Sequence, residues 1–183
     1  MTTKEAKSIR QQYVENGVAG YYSAHGASYR NPHFDQLRAL VTQNQPRLDY
    51  NSVLDFCCGS GEISLIVKEL GYKTALATDP FTAVIYQENT HQAALPYSFE
   101  DVIKGKLEGQ FSCIICSFAM HLCPAGQLFS LAWELFAHTT QLVILTPHKR
   151  PELENFSPFQ LDFEDFVLTP RGKKVRLKCY SLR

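Results

Sequence analysis

Ser52 to Glu62, S-V-L-D-F-C-C-G-S-G-E, reads as a short buried strand that runs into a glycine turn and then opens a helix. Gly59 and Gly61 let backbone and ligand approach where a Cβ would collide, and Asp55 near the strand end offers a carboxylate to hydrogen-bond donors. A strand, turn and helix of this kind build a nucleotide-type cofactor loop.

Downstream, strand and helix patterns alternate. The helix expected from Gly61 to Leu70 buries Ile63, Ile66, Val67 and Leu70, and Gly71 stops it. Lys73 to Thr78 is the next strand, with Asp79 at its end and Pro80 beginning another helix. Residues 95 to 99 form a weak strand or a turn. Phe111 to Ser117 is nearly all apolar, as a central parallel strand should be. Pro124 starts a helix carrying Leu128, Leu131, Ala132, Leu135 and Phe136 on one side, and Gln141 to Thr146 is the following strand. Strands separated by helices of ~10 to 15 residues indicate an α/β, doubly wound, mostly parallel sheet.

Both ends depart from that alternation. At the N-terminus, Thr2 and Glu5 have capping-box spacing and Ala6, Ile9 and Tyr13 form an inner helical face that Gly17 ends. The aperiodic run to His33 contains Tyr21, Tyr22, His25, Tyr29 and Arg30; it is either an ordered flap over a ligand or an aromatic connector on the sheet edge. Asn31 then caps a helix with Pro32 at its first position, and Phe34, Leu37, Leu40 and Val41 make its apolar stripe. At the C-terminus, Phe159, Leu161 and Phe163 alternate with polar residues, T-P-R-G turns the chain, and Val175, Leu177 and Cys179 alternate with Arg176, Lys178 and Tyr180. That is an antiparallel hairpin with one apolar face closing the sheet. The chain therefore reads as one domain over residues 1–183, with an N-terminal helical and aromatic cap in 1–50 and the core in 51–183.

Composition bounds the partners. The 183 residues suffice for a core without disulfides or metal. Lys+Arg and Asp+Glu both number 18, so no global charge draws the chain to nucleic acid or to an anionic membrane. No apolar run approaches a membrane span, and no signal-peptide core follows the first residues, so a soluble, cytoplasmic protein is expected. Six cysteines then read as reduced thiols. Cys113 and Cys116 form a C-x-x-C, but strand geometry sends positions three apart to opposite faces, and no second pair completes a metal site.

V-L-D-F-C-C-G-S-G, with Asp79 at the next strand end, resembles the class I, Rossmann-like S-adenosylmethionine (SAM)-dependent methyltransferases, whose first motif is usually hydrophobic-hydrophobic-D-x-G-C-G-x-G. The resemblance covers residues 51 to 147, and the closing hairpin also fits it. Cys57 stands where glycine is commonest, which implies that position 57 does not need a glycine-only backbone conformation. The helix that the family places before the hairpin is expected to be missing, because Pro147 to Phe159 is short and broken by proline.

The resemblance implies SAM as cofactor. Gly59 and Gly61 would border its methionine part, within a turn that also holds Phe56 and Cys57, and Asp55 would lie near its amino group. Asp79, followed by Pro80, would accept from the ribose hydroxyls. Glu100 or Asp101 would meet the adenine amino group, with Phe99 or Val102 on the ring. Ser117 to Leu122, S-F-A-M-H-L, would lie between the donated methyl and the acceptor, where His121 would serve as base or orient the acceptor. His148, Lys149 and Arg150 would hold an acidic or phosphorylated substrate, or form a solvated turn.

Each acid also has a local role open to it: Asp55 could cap the following turn and Asp79 the Pro80 helix. A nicotinamide-dependent oxidoreductase would share the fold, but Ser64 stands where the third glycine of G-x-G-x-x-G belongs. The function expected is SAM-dependent methyl transfer to a small molecule, because the N-P-P-[YF] signature and any added substrate domain are absent and net charge is zero. Tyr21, Tyr22, His25, Tyr29 and His148 are the expected acceptor contacts. The alternatives are an RNA- or protein-directed methyltransferase and a catalytically silent partner subunit; a monomer or weak homodimer is expected.

Overall fold

Val, Leu and Ile in unbroken runs need apolar cover on both faces, and such runs occupy the centre of the sheet in the computed structural model. The structure describes residues 31–183. The first predicted helix and the run containing Tyr21, Tyr22, His25, Tyr29 and Arg30 lie outside the described residues. Strands β1 (Val53–Phe56), β2 (Thr74–Thr78), β3 (Cys113–Ser117) and β4 (Leu142–Thr146) run parallel. β5 (Phe159–Leu168) and β6 (Lys174–Leu182) form an antiparallel hairpin, and β6 joins it to β4.

The spatial order β2-β1-β3-β4-β6-β5 makes the chain leave β1 toward β2 and return on its other side to β3. Strand order reverses at β1/β3, and the C-terminal ends of four parallel strands share one edge, where doubly wound sheets hold their ligands. This is the α/β, mostly parallel sheet with a closing hairpin that the sequence predicts.

Among the described residues five α-helices flank it: α1 (Phe34–Gln43), α2 (Glu62–Glu69), α3 (Ala83–Thr90), α4 (Phe99–Ile103) and α5 (Leu128–Phe136). Side chains alternate across the strands, so Leu54, Phe56, Ile114 and Ile144 meet Leu131, Ala132 and Leu135 of α5 in one layer. Val53, Ile115, Val143 and Leu145 meet Leu37, Leu40, Ile63, Ile66 and Val67 of α1 and α2 in the other. Cys113 and Cys116 fall in these opposite layers, as their spacing predicts. α1 is fastened to the hairpin as well: Gln43 Nε2 and Asn44 Nδ2 donate to Asp165 Oδ2, and the Arg47 guanidinium lies 3.4 Å over the Phe163 ring.

Several predicted boundaries move, and side-chain hydrogen bonds to backbone explain most of the shifts. The helix assigned to Asn31 and Pro32 begins at Phe34, because Asn31 Oδ1 accepts the His33 N–H and holds a turn ahead of it. The Pro80 helix begins at Ala83, because Asp79 Oδ1 accepts the N–H groups of Phe81 and Thr82. Residues 95–99 give one bridge, Leu95 to Thr78, before Ser98 and Asp101 close a capping box on α4. The helix assigned to Pro124 starts at Leu128. Between β4 and β5 there is a 3₁₀ turn, Leu153–Asn155, and no α-helix, as the short Pro147 to Phe159 segment predicts.

The hairpin departs from its predicted single apolar face. β6 lies inside the sheet, and Lys178 and Tyr180, expected among its exposed residues, are 1% and 0% exposed. Lys178 Nζ donates to the carbonyls of Lys149 (2.8 Å) and Pro151 (3.1 Å), and Tyr180 OH donates to Glu154 Oε2 (2.8 Å). The segment after β4 covers this face of the strand, so strict alternation does not put it in water.

Candidate functional site

The strand-to-helix turn is built from left-handed backbone. Cys57, Gly59 and Gly61 have φ of 57°, 55° and 94°. Position 57 thus does adopt the conformation that favours glycine, contrary to the expectation from its cysteine, and a non-glycine residue there costs about 1 kcal/mol. The Cys58 N–H donates to Thr78 O and the Gly61 N–H to Cys58 O, which binds the turn to β2 and closes it. At Gly61 a Cβ would lie 2.5 Å from Thr90 Cγ2 and 3.2 Å from the Tyr86 ring. That glycine lets α3 approach the turn closely.

Asp55 points into the α2 layer. Its Oδ2 accepts the Ser64 N–H (3.1 Å) and hydroxyl (2.7 Å), and Ser64 Oγ also meets Tyr86 OH at 2.9 Å. Oδ1 has no hydrogen-bond partner among the described residues. Burial pushes the Asp55 carboxyl up to about 8, against the opposing Ser64 bonds. Ser64, where a dinucleotide loop would have its third glycine, is therefore the anchor between strand and helix.

The strand ends enclose a cavity of about 320 Å³. Cys57 and Gly59 line it after β1, Asp79, Pro80 and Phe81 beyond β2, Phe99 and Glu100 on α4, Ser117 at the end of β3, and Phe118, Ala119 and Leu122 beyond it. Asp79 is held by backbone: its Oδ1 takes Phe81 and Thr82, and Oδ2 accepts the Gly59 N–H at 3.3 Å. Burial raises its pKa and these N–H groups oppose the rise. Glu100 lines the cavity and pairs with Lys104 at 2.8 Å, whereas the Asp101 carboxylate is taken up by Ser98 and Lys106. Of the other predicted cofactor contacts, Asp55, Phe56 and Gly61 stand behind the lining; Phe56 is wholly buried, 6.0 Å from the Phe99 ring, and Val102 is in the same core.

Sequence reasoning missed Asn31, Glu62, Phe81, Ser98, Pro124 and Gln127 as lining residues. Glu62 had a signal, since it follows the second glycine directly at a helix start. Phe118, within the expected S-F-A-M-H-L stretch, takes a left-handed φ of 55° and stacks on His33, 5.3 Å away, and neither feature is written in its residue type. His121 lies between the lining residues Ala119 and Leu122 but is not itself in the lining. Its Nδ1 is buried without a partner among the described residues, and its ring centroid is 4.7 Å from that of His148. Burial, then His148 and Arg150, lower the His121 pKa to about 4, so its imidazole is neutral near pH 7. His148, Lys149 and Arg150 are exposed just after β4.

No protein-family model matches the chain. An uncharacterized protein of Schizosaccharomyces pombe is 32% identical to it over 192 aligned positions, covering 80% of this chain and 77% of that protein. Among solved structures, magnesium protoporphyrin IX methyltransferase of Synechocystis PCC 6803, solved with bound SAM, superposes with a TM-score of 0.58 at 14% identity, covering 98% and 100% of the two chains. The ribosomal protein L11 methylase of Lactobacillus delbrueckii subsp. bulgaricus gives 0.60 at 23% identity, covering 86% and 82%. A structure described under the conversion of a disulfide bond into a thioacetal group during echinomycin biosynthesis gives 0.63 at 17% identity, covering 92% and 91%.

Proposed function

Because the chain belongs to one family with the uncharacterized S. pombe protein and has the class I, Rossmann-like methyltransferase fold, we propose that it is a SAM-dependent methyltransferase. The charge of the cavity carries this reading. Its described lining includes three carboxylates, Glu62, Asp79 and Glu100, and no Lys or Arg. SAM bears a sulfonium and an ammonium against one carboxylate, so an acidic wall suits it. A dinucleotide would need to place a pyrophosphate at the start of the helix after the glycine turn. Here that position is held by the Glu62 carboxylate, which repels it.

The residues present fit the cofactor. Asp79, fixed by three backbone N–H groups, accepts from a ribose diol, and Phe99 and Phe81 offer apolar faces to a purine with Glu100 beside them as acceptor for an exocyclic amine. When bound, SAM supplies a methyl group already activated by its sulfonium, so the protein's contribution is chiefly alignment. Ser117, Phe118, Ala119 and Leu122 form the wall on the acceptor side. A neutral His121 imidazole can accept a proton or a hydrogen bond from an acceptor at that wall.

The acceptor is proposed to be a small molecule. The known acceptors among proteins of this fold are varied, but the described lining offers no cation to a nucleic-acid backbone. The test is transfer of labelled methyl from SAM to fractionated cell extract by the full chain. Label in the small-molecule fraction is expected; label in RNA or protein moves the acceptor to that class, and no SAM-dependent label in any fraction removes the enzyme reading. With the true acceptor, His121→Ala should keep SAM affinity and lose turnover by roughly 10²-fold or more.

A further inference from the structure

Glu62 opens α2 directly after Gly61, and its side chain is buried yet lines the cavity. One oxygen is filled: Oε1 accepts the Asn31 backbone N–H at 3.0 Å and the Ser60 hydroxyl. The other, Oε2, accepts from no described residue, and no ion pair among the described residues involves Glu62. Among the described residues no cation meets this buried carboxylate, a costly arrangement that the adjacent start of α2 offsets only in part. Its open oxygen suits a positive hydrogen-bond donor in the cavity.

The other acids near the glycine turn are placed differently; Asp55 keeps an unpartnered Oδ1 among the described residues but does not line the cavity. Asp55 stands behind the lining with Oδ2 on Ser64, Asp79 holds three backbone N–H groups, and Glu100 pairs with Lys104. We infer that Glu62, through Oε2, grips the α-ammonium of the methionine part of the cofactor, with Ser60 and the Asn31 N–H as the groups that position it. This rests on the SAM reading and assigns the amino-group contact to Glu62 rather than to Asp55. An ammonium satisfies Oε2 with both charge and an N–H, whereas the sulfonium has no hydrogen to donate.

Two ligands against two proteins test the assignment. S-adenosylhomocysteine carries the amino acid, while 5′-methylthioadenosine keeps the nucleoside and lacks it. Calorimetric titration of wild-type and Glu62→Gln chains should show a loss of roughly ten- to hundredfold for S-adenosylhomocysteine and less than about twofold for 5′-methylthioadenosine. Retained 5′-methylthioadenosine binding also reports a folded site. Should Glu62→Gln not fold, Glu62→Asp, which keeps the charge and withdraws it, should give a smaller loss restricted to S-adenosylhomocysteine. Equal losses for both ligands, or none for S-adenosylhomocysteine, overturn the role of Glu62 while leaving the cofactor reading intact. A wild-type chain that binds neither ligand overturns both.

Discussion

Asp55, buried, and His121, half-buried with its Nδ1 enclosed, are titratable side chains that carry opposite pH signatures. Asp55 titrates at about 8 in the fold against roughly 3.9 unfolded, so the native state holds the extra proton between those values and stability falls as pH rises from about 4 to 8. His121 titrates at about 4 against roughly 6.5 unfolded, so its contribution is full above about 6.5 and is lost as pH falls toward 4. Urea unfolding across pH separates them. Asp55→Asn should gain on wild type as pH rises from 4 to 8, by at least ~1 kcal/mol over that span, and His121→Gln should gain on wild type only below about 6.5. Flat differences in both variants would mean that neither group is desolvated as the fold implies. These environments are not written in the residue types: aspartate at a strand end is equally consistent with a solvated acid, and only enclosure by α2 and Ser64 makes Asp55 a buried one.

At the scale of elements, the glycine turn is wedged between α2 and α3. Gly61→Ala places a Cβ against Thr90 Cγ2 at a φ of 94°, and both effects destabilise, together by about 2–4 kcal/mol. Thr90→Ser removes the obstructing methyl, so the double variant should recover the steric share and keep the backbone share. Thermal unfolding of the two single variants and the double checks this, and strict additivity would show that α3 does not press on the turn. Strands and helices were legible in the sequence because apolar runs and 3.6-residue stripes record which faces are covered. Helix starts at Phe34 and Ala83 were not, because Asn31 and Asp79 spend their side chains on turns that precede the helices. Gly59, Asp79 and Ser117, which the resemblance implied as cofactor contacts, line the cavity at the strand ends. Glu62 could not be separated from an ordinary helix-start acid until its filled oxygen and its open one were seen.

The whole molecule ties its two halves together at β6. Lys178 is buried under the segment after β4 and donates to two carbonyls of that segment, which also carries His148. Alternation assigned Lys178 to solvent, and only the topology, with β6 between β4 and β5, shows why it is enclosed. Lys178→Met fills the volume but leaves the carbonyls of Lys149 and Pro151 without their donor, and should cost about 2–4 kcal/mol by chemical denaturation; Tyr180→Phe should cost about 1 kcal/mol. An unchanged midpoint for Lys178→Met would show that water replaces the amine without penalty.

The described wall of the cavity is acidic and aromatic and lies at the ends of parallel strands. Calorimetric titration of the full chain with SAM, S-adenosylhomocysteine and NAD puts that cavity to its most direct trial. SAM and S-adenosylhomocysteine should bind at one site per chain, Asp79→Ala should weaken both by roughly tenfold or more, and NAD should not saturate. NAD binding tighter than SAM would contradict the methyltransferase assignment.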